Sequence, residues 1–97
     1  MIFKILNQSL YLCDIAGNLG RRISENVAFG TYDETHKIFL ITSLDGKLET
    51  KDVAGNPIRV LLQGVLEARF LGNDILVRKK DGKNVLIDKN GNIRRYI

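Results

Sequence analysis

Apolar and polar positions alternate with a period of two along much of this chain. Leu10 and Leu12 run with Asp14, Phe39 with Ile41, and Val85 with Ile87, the pattern of a half-buried β-strand. Turn chemistry separates these segments. Asp45-Gly46 and Asp81-Gly82 stand between alternating stretches, and Asp-Gly in that context predicts a type I′ hairpin turn with positive φ at both central residues. A second turn reads D-x-x-G, opening at Asp14, Asp52 and Asp88 and closing at Gly17, Gly55 and Gly91. It suits a type I turn whose Asp accepts backbone N–H bonds. Eleven strands are predicted, near 2–6, 10–14, 19–23, 27–32, 37–43, 48–52, 58–62, 65–70, 74–79, 84–88 and 93–97. The competing reading is a helix over 58–71, which Gly64 in its middle would weaken by about 1 kcal/mol.

The second turn belongs to a longer repeat. "DIAGNLGR" (14–21), "DVAGNPIR" (52–59) and "DKNGNIRR" (88–95) all fit D-x-x-G-N-x-x-R, at spacings of 38 and 36 residues. Residues 39–61 lie over 75–97 without a gap. Residues 3–23 lie over 41–61, with Asn7-Gln8 where the other units have Asp-Gly. Each unit of about 37 residues then holds four antiparallel strands, and the first lacks its opening strand. The expected fold is one all-β domain over 1–97, in units of about 1–23, 27–62 and 65–97. Meanders at this period predict propeller-like blades.

The stretch "VRKKDGKNVLIDKNGNI" (77–93) resembles a WG repeat, a bacterial β-repeat. The matching positions are Lys79, Lys80, Asp81, Gly82, Lys83, Ile87, Asp88 and Gly91, while Asn84-Val85 stands where that repeat has Trp-Gly. The resemblance implies binding and scaffolding, with no catalytic residues to carry over.

Fewer than three full blades cannot close a ring, and open rows of strands leave edges that pair with other chains. Assembly into a closed homo-oligomer, a dimer first, is therefore expected; a monomeric barrel or curled sheet is the alternative. No apolar run approaches the roughly 20 residues of a membrane span. The N-terminus lacks the pattern of a signal peptide. The single cysteine, Cys13, fits a reducing compartment. These features predict a soluble cytoplasmic protein with no membrane partner.

Net charge is +4 and unevenly placed: residues 69–97 carry eight Lys/Arg against three acids, residues 1–68 seven against eight. An anionic partner becomes more plausible, nucleic acid included. Two sets of residues would serve it. Arg21, Arg59 and Arg95 recur four places after the motif glycine, and equivalent guanidiniums can ring a phosphate or carboxylate. The basic hairpin tip Arg78, Lys79, Lys80 and Lys83, with Lys89 and Arg94 nearby and Tyr96 for stacking, can meet a phosphate backbone. The plainer readings are a solvated face, Arg stems covering neighbouring strands, and lysines guarding a sheet edge. Asp14, Asp52 and Asp88 read as turn caps, Asn18, Asn56 and Asn92 as hairpin residues, and Cys13 as a small apolar side chain. His36, the only histidine, lies near Asp33 and Glu34, too few ligands for a zinc site. No nucleophile elbow, phosphate loop or dinucleotide fingerprint is present. The expected role is a non-enzymatic structural or binding module without a cofactor, presenting loops and a basic face to a protein partner. Nucleic-acid or anion binding is the alternative.

Overall fold

A computed structural model describes residues 2–97. The eleven strands are β1 (Ile2–Leu6), β2 (Ser9–Cys13), β3 (Leu19–Ser24), β4 (Val27–Asp33), β5 (Ile38–Ser43), β6 (Leu48–Asp52), β7 (Pro57–Leu62), β8 (Val65–Leu71), β9 (Asp74–Lys79), β10 (Asn84–Ile87) and β11 (Ile93–Tyr96). All pair antiparallel with their sequence neighbours inside three separate sheets, β1–β3, β4–β7 and β8–β11. No helix occurs among the described residues. The segment 58–71 is divided between β7 and β8 by Gly64, whose φ of +68° breaks any helical run.

The Asp-Gly turns correct one expectation. Only the glycines, Gly46 at φ +93° and Gly82 at +88°, lie in the left-handed region; Asp45 and Asp81 do not. Gly46 N–H donates to the Ser43 carbonyl at 3.0 Å and Ser43 N–H to the Lys47 carbonyl at 2.9 Å. This is a type I turn followed by a left-handed glycine, a three-residue loop. The D-x-x-G turns share it: Gly17, Gly55 and Gly91 donate to the Asp14, Asp52 and Asp88 carbonyls at 3.0–3.1 Å. The type I′ signature of two positive φ values appears instead at Asn7 (52°) and Gln8 (65°).

That tighter loop changes the register of the first unit. Leu6 pairs directly with Ser9, leaving two loop residues, whereas three separate Ser43 from Lys47. The gapless overlay of 3–23 on 41–61 is therefore one residue out within β1. A one-residue slip reverses which side chains face in. The pairs Phe3↔Leu12 and Ile5↔Leu10 accordingly share the face that Leu40↔Thr50 and Thr42↔Leu48 occupy in the second sheet.

The core lies between sheets. Every buried hydrophobic among the described residues belongs to one of two clusters. Leu10 and Ile23 from the first sheet meet Val27, Phe39 and Ile41 from the second. Leu40, Leu48 and Leu61 on the opposite face of the second sheet meet Val65, Ile75, Val77, Val85 and Ile87 from the third. The middle sheet is covered on both faces, and each outer sheet on one.

The motif aspartates fasten the turns. Asp52 Oδ1 accepts from the backbone N–H of Ala54 and Asn56, both at 2.9 Å, and Oδ2 accepts from Asn56 Nδ2 at 3.2 Å. Asp88 does the same with Asn90 and Asn92, and Asp14 bonds both nitrogens of Asn18. The expected turn caps are thus present. The backbone N–H of Asn18, Asn56 and Asn92, chiefly, holds these three carboxyls below the usual carboxylate range. A depressed folded pKa contributes stability above the unfolded value of about 4 and loses it as pH falls. The urea midpoint is expected to drop as pH falls from 5 to 2. An Asp52→Asn/Asp88→Asn variant should flatten that profile, and an unchanged slope would refute the assignment.

Candidate functional site

The two contacts between sheets are built alike. Val27 N–H donates to the Gln8 carbonyl at 2.8 Å, and Val65 N–H, 38 residues on, donates to the equivalent Gly46 carbonyl at 2.9 Å. The turn at Gly55 packs on Ile23 of β3, and the turn at Gly91 on Leu61 of β7, the equivalent residue one unit later. The second and third D-x-x-G turns therefore dock on the outer strand of the preceding sheet. Close approach requires glycine there: a Cβ on Gly91 would lie 3.0 Å from the Leu61 carbonyl oxygen.

A polar cluster adds to the second contact. Lys89, in the turn between β10 and β11, reaches Asp33 at the end of β4: Nζ lies 3.0 Å from Asp33 Oδ2 and 2.7 Å from His36 Nδ1. His36 Nδ1 itself is 2.7 Å from Asp33 Oδ2. The Lys89 ammonium also sits 5.9 Å from the Phe70 ring centroid. Partial burial opposes ionisation of Asp33, but hydrogen bonds from His36 and Lys89 outweigh it and bring its pKa to about 2. The stabilisation from this carboxylate is present above pH 4 and fades as pH falls towards 2. Lys89→Ala leaves a half-buried carboxylate with one partner fewer. It is expected to cost about 1–2 kcal/mol by denaturant titration, and no change would make the cluster incidental. The sequence grouped Lys89 with the basic hairpin tip rather than with His36 and Asp33, the latter 56 residues away in the chain.

The arginine row falls on the outer strands: Arg21 on β3, Arg59 on β7, Arg95 on β11, all exposed. Arg21 Nη1 donates across the first contact to the Ala54 carbonyl at 3.2 Å. Arg59 and Arg95 form no side-chain hydrogen bond or ion pair among the described residues. In the basic tip, Lys80 is drawn back: its N–H donates to the Gly64 carbonyl at 2.9 Å and its side chain lies over Gly46. Arg78 Nη1 lies 3.5 Å from Glu67 Oε1. Lys83 is exposed, and Lys79 half-buried within its strand. Arg94 is held by Asp74 at 2.7 Å, and that bond raises the guanidinium pKa. Tyr96 is exposed. Cys13 is half-buried on the face of β2 opposite Leu12.

Among the described residues, two sheet faces remain uncovered. On the first sheet the outward face carries Ile2, Lys4, Leu6, Tyr11, Cys13 and Arg22, as the pairs Ile2↔Cys13, Lys4↔Tyr11 and Tyr11↔Arg22 fix. On the third sheet the cross-strand row is Arg69↔Leu76↔Leu86↔Arg95, beside Glu67↔Arg78↔Asn84. A concavity of about 520 Å³ opens on this second face, lined by Arg69, Leu71, Leu76, Arg78 and Ile97 with Phe29 from β4. Both faces combine apolar side chains with excess positive charge.

Among the described residues, no group of three or more His, Cys, Asp and Glu side chains is arranged to hold a metal ion, and no helix is long and apolar enough to cross a membrane. Comparison with protein-family models and with curated proteins gave no match.

Proposed function

We propose that this chain is a non-enzymatic structural and binding module of propeller-like repeats. It self-assembles through its two uncovered sheet faces, with a dimer as the simplest closed form, and presents loops and basic side chains to a protein partner. The observation that carries this reading is the repetition of one docking design at both internal contacts, with the face needed for a further contact left open on each outer sheet. Apolar faces of this kind associate by the same burial that builds the core. The resemblance to WG repeats, binding and scaffolding elements, points the same way.

The second reading is anion or nucleic-acid binding, favoured by Arg69, Arg78 and Arg95 on one face of the third sheet. Salt separates the two. Phosphate binding weakens steeply as salt rises, through counterion release. Apolar association between two positively charged faces strengthens, because salt screens their repulsion. Sedimentation in 0.05–0.5 M salt should show assembly increasing with salt. Assembly that falls with salt, together with oligonucleotide binding at low salt, would favour the second reading instead.

A further inference from the structure

Resting on that reading, we infer that copies join head to tail: the Asp14–Asn18 turn of one copy seats on Leu71 and Ile97 of the next. The geometry comes from the chain's own contacts. Ile15, Val53 and Lys89 are the same position in the three units, one residue after the motif Asp. Val53 packs into the first core cluster, and Lys89 is bonded to Asp33. Ile15 is 97% exposed, although it is an isoleucine. Its partner position in the preceding unit is that of Asp33, which in the third sheet is Leu71, itself half exposed. The Lys–Asp pair of the internal contact is thus replaced by Ile and Leu on the two surfaces that have no partner.

A second equivalence agrees. Gly55 docks on Ile23 and Gly91 on Leu61, while a Cβ on Gly17 would meet nothing within 4 Å. The residue equivalent to Ile23 and Leu61 in β11's unit is Ile97, which is 65% exposed. The turn at Gly17 has the docking shape and no seat; Ile97 is a seat with no turn. Arg21 bonds to Ala54 at the first contact, though among the described residues the equivalent Arg59 makes no such bond at the second; Arg95 would reach the carbonyl of Ala16 in the copy whose turn it receives. The contact is heterologous, so it produces a ring where the rotation closes and a filament where it does not.

The test uses Ile15→Glu and Ile97→Asp, two exposed positions whose substitution leaves the core intact. Each alone should weaken assembly by about 30-fold or more, since an isoleucine burial is lost and a charge is placed in the contact. Mixed in equal amounts, the two variants retain one intact turn and one intact seat between them. They should then form a one-to-one pair, and nothing larger, by sedimentation velocity. A wild-type oligomer in which either single variant still dimerises with itself would overturn the head-to-tail mode and leave self-assembly standing. A wild type that stays monomeric would overturn the assembly reading beneath it as well.

Discussion

Phe39→Ala is expected to cost about 3–5 kcal/mol, the range for removing a large aromatic from a packed interior. Phe39 is fully buried between the first and second sheets. Its ring meets Phe3 edge-on at 5.7 Å and Tyr32 at 4.8 Å, with Leu10, Ile23 and Val27 in the same cluster. The three-stranded first sheet is held to the rest through this cluster, so the loss falls on the attachment of a whole unit. Small domains have roughly 5–15 kcal/mol in all. Urea unfolding should show a large fall in midpoint, with hydrogen exchange in β1–β3 accelerating before the other strands. A loss below 1 kcal/mol would mean that this contact does not organise the fold.

Gly91→Ala and Gly17→Ala form the second expected result, and their difference is the informative quantity. Both glycines have left-handed backbones, at φ +91° and +86°. An alanine there carries about 1–2 kcal/mol of conformational strain. At Gly91 the new Cβ also meets Leu61 backbone, 3.0 Å from the carbonyl oxygen and 3.3 Å from Cα. Those atoms belong to β7 and have little freedom to retreat, so the total should reach about 2–4 kcal/mol once overpacking is added. At Gly17 the space is open in a single copy, and only the backbone strain applies to the monomer. In the proposed head-to-tail assembly the next copy would fill that space, so Gly17→Ala should also weaken assembly. Equal stability losses at the two positions, with assembly unchanged, would remove the docking role assigned to these turns.

The strands were readable because period-two patterning and turn residues agree at each boundary, as at Phe39 and Ile41 before the Ser43–Lys47 loop. What misled was a dipeptide with two structural uses. Asp-Gly fits a two-residue type I′ loop and equally a three-residue loop with only the glycine left-handed. The choice depends on loop length, which Leu44 and Lys80 extend by one. The true two-residue loop, Asn7-Gln8, carries a weaker signature, and the register of β1 was misplaced with it. The candidate site was legible only in part. The recurrence of Arg21, Arg59 and Arg95 is visible in the repeat, but not that Arg21 would bind a neighbouring turn. Lys89 and Asp33 meet through packing of separate units, which no local pattern encodes. The aligned units do hold a trace of it: where 15, 53 and 89 read Ile, Val and Lys, the partner positions 33 and 71 read Asp and Leu. The polar pair, Lys89 with Asp33, lies at the internal contact between the second and third sheets, while Ile15 and Leu71 are exposed on the outer sheets.

The most direct measurement is molar mass by light scattering on a sizing column, over a concentration series at physiological salt. Self-assembly through the open faces should give a closed multiple of the 10.9 kDa chain, with the dimer first, and the Ile15→Glu variant should return it to a single chain. A wild-type mass of 10.9 kDa at every concentration would contradict the assembly, and the open faces would then have to be explained without a second copy.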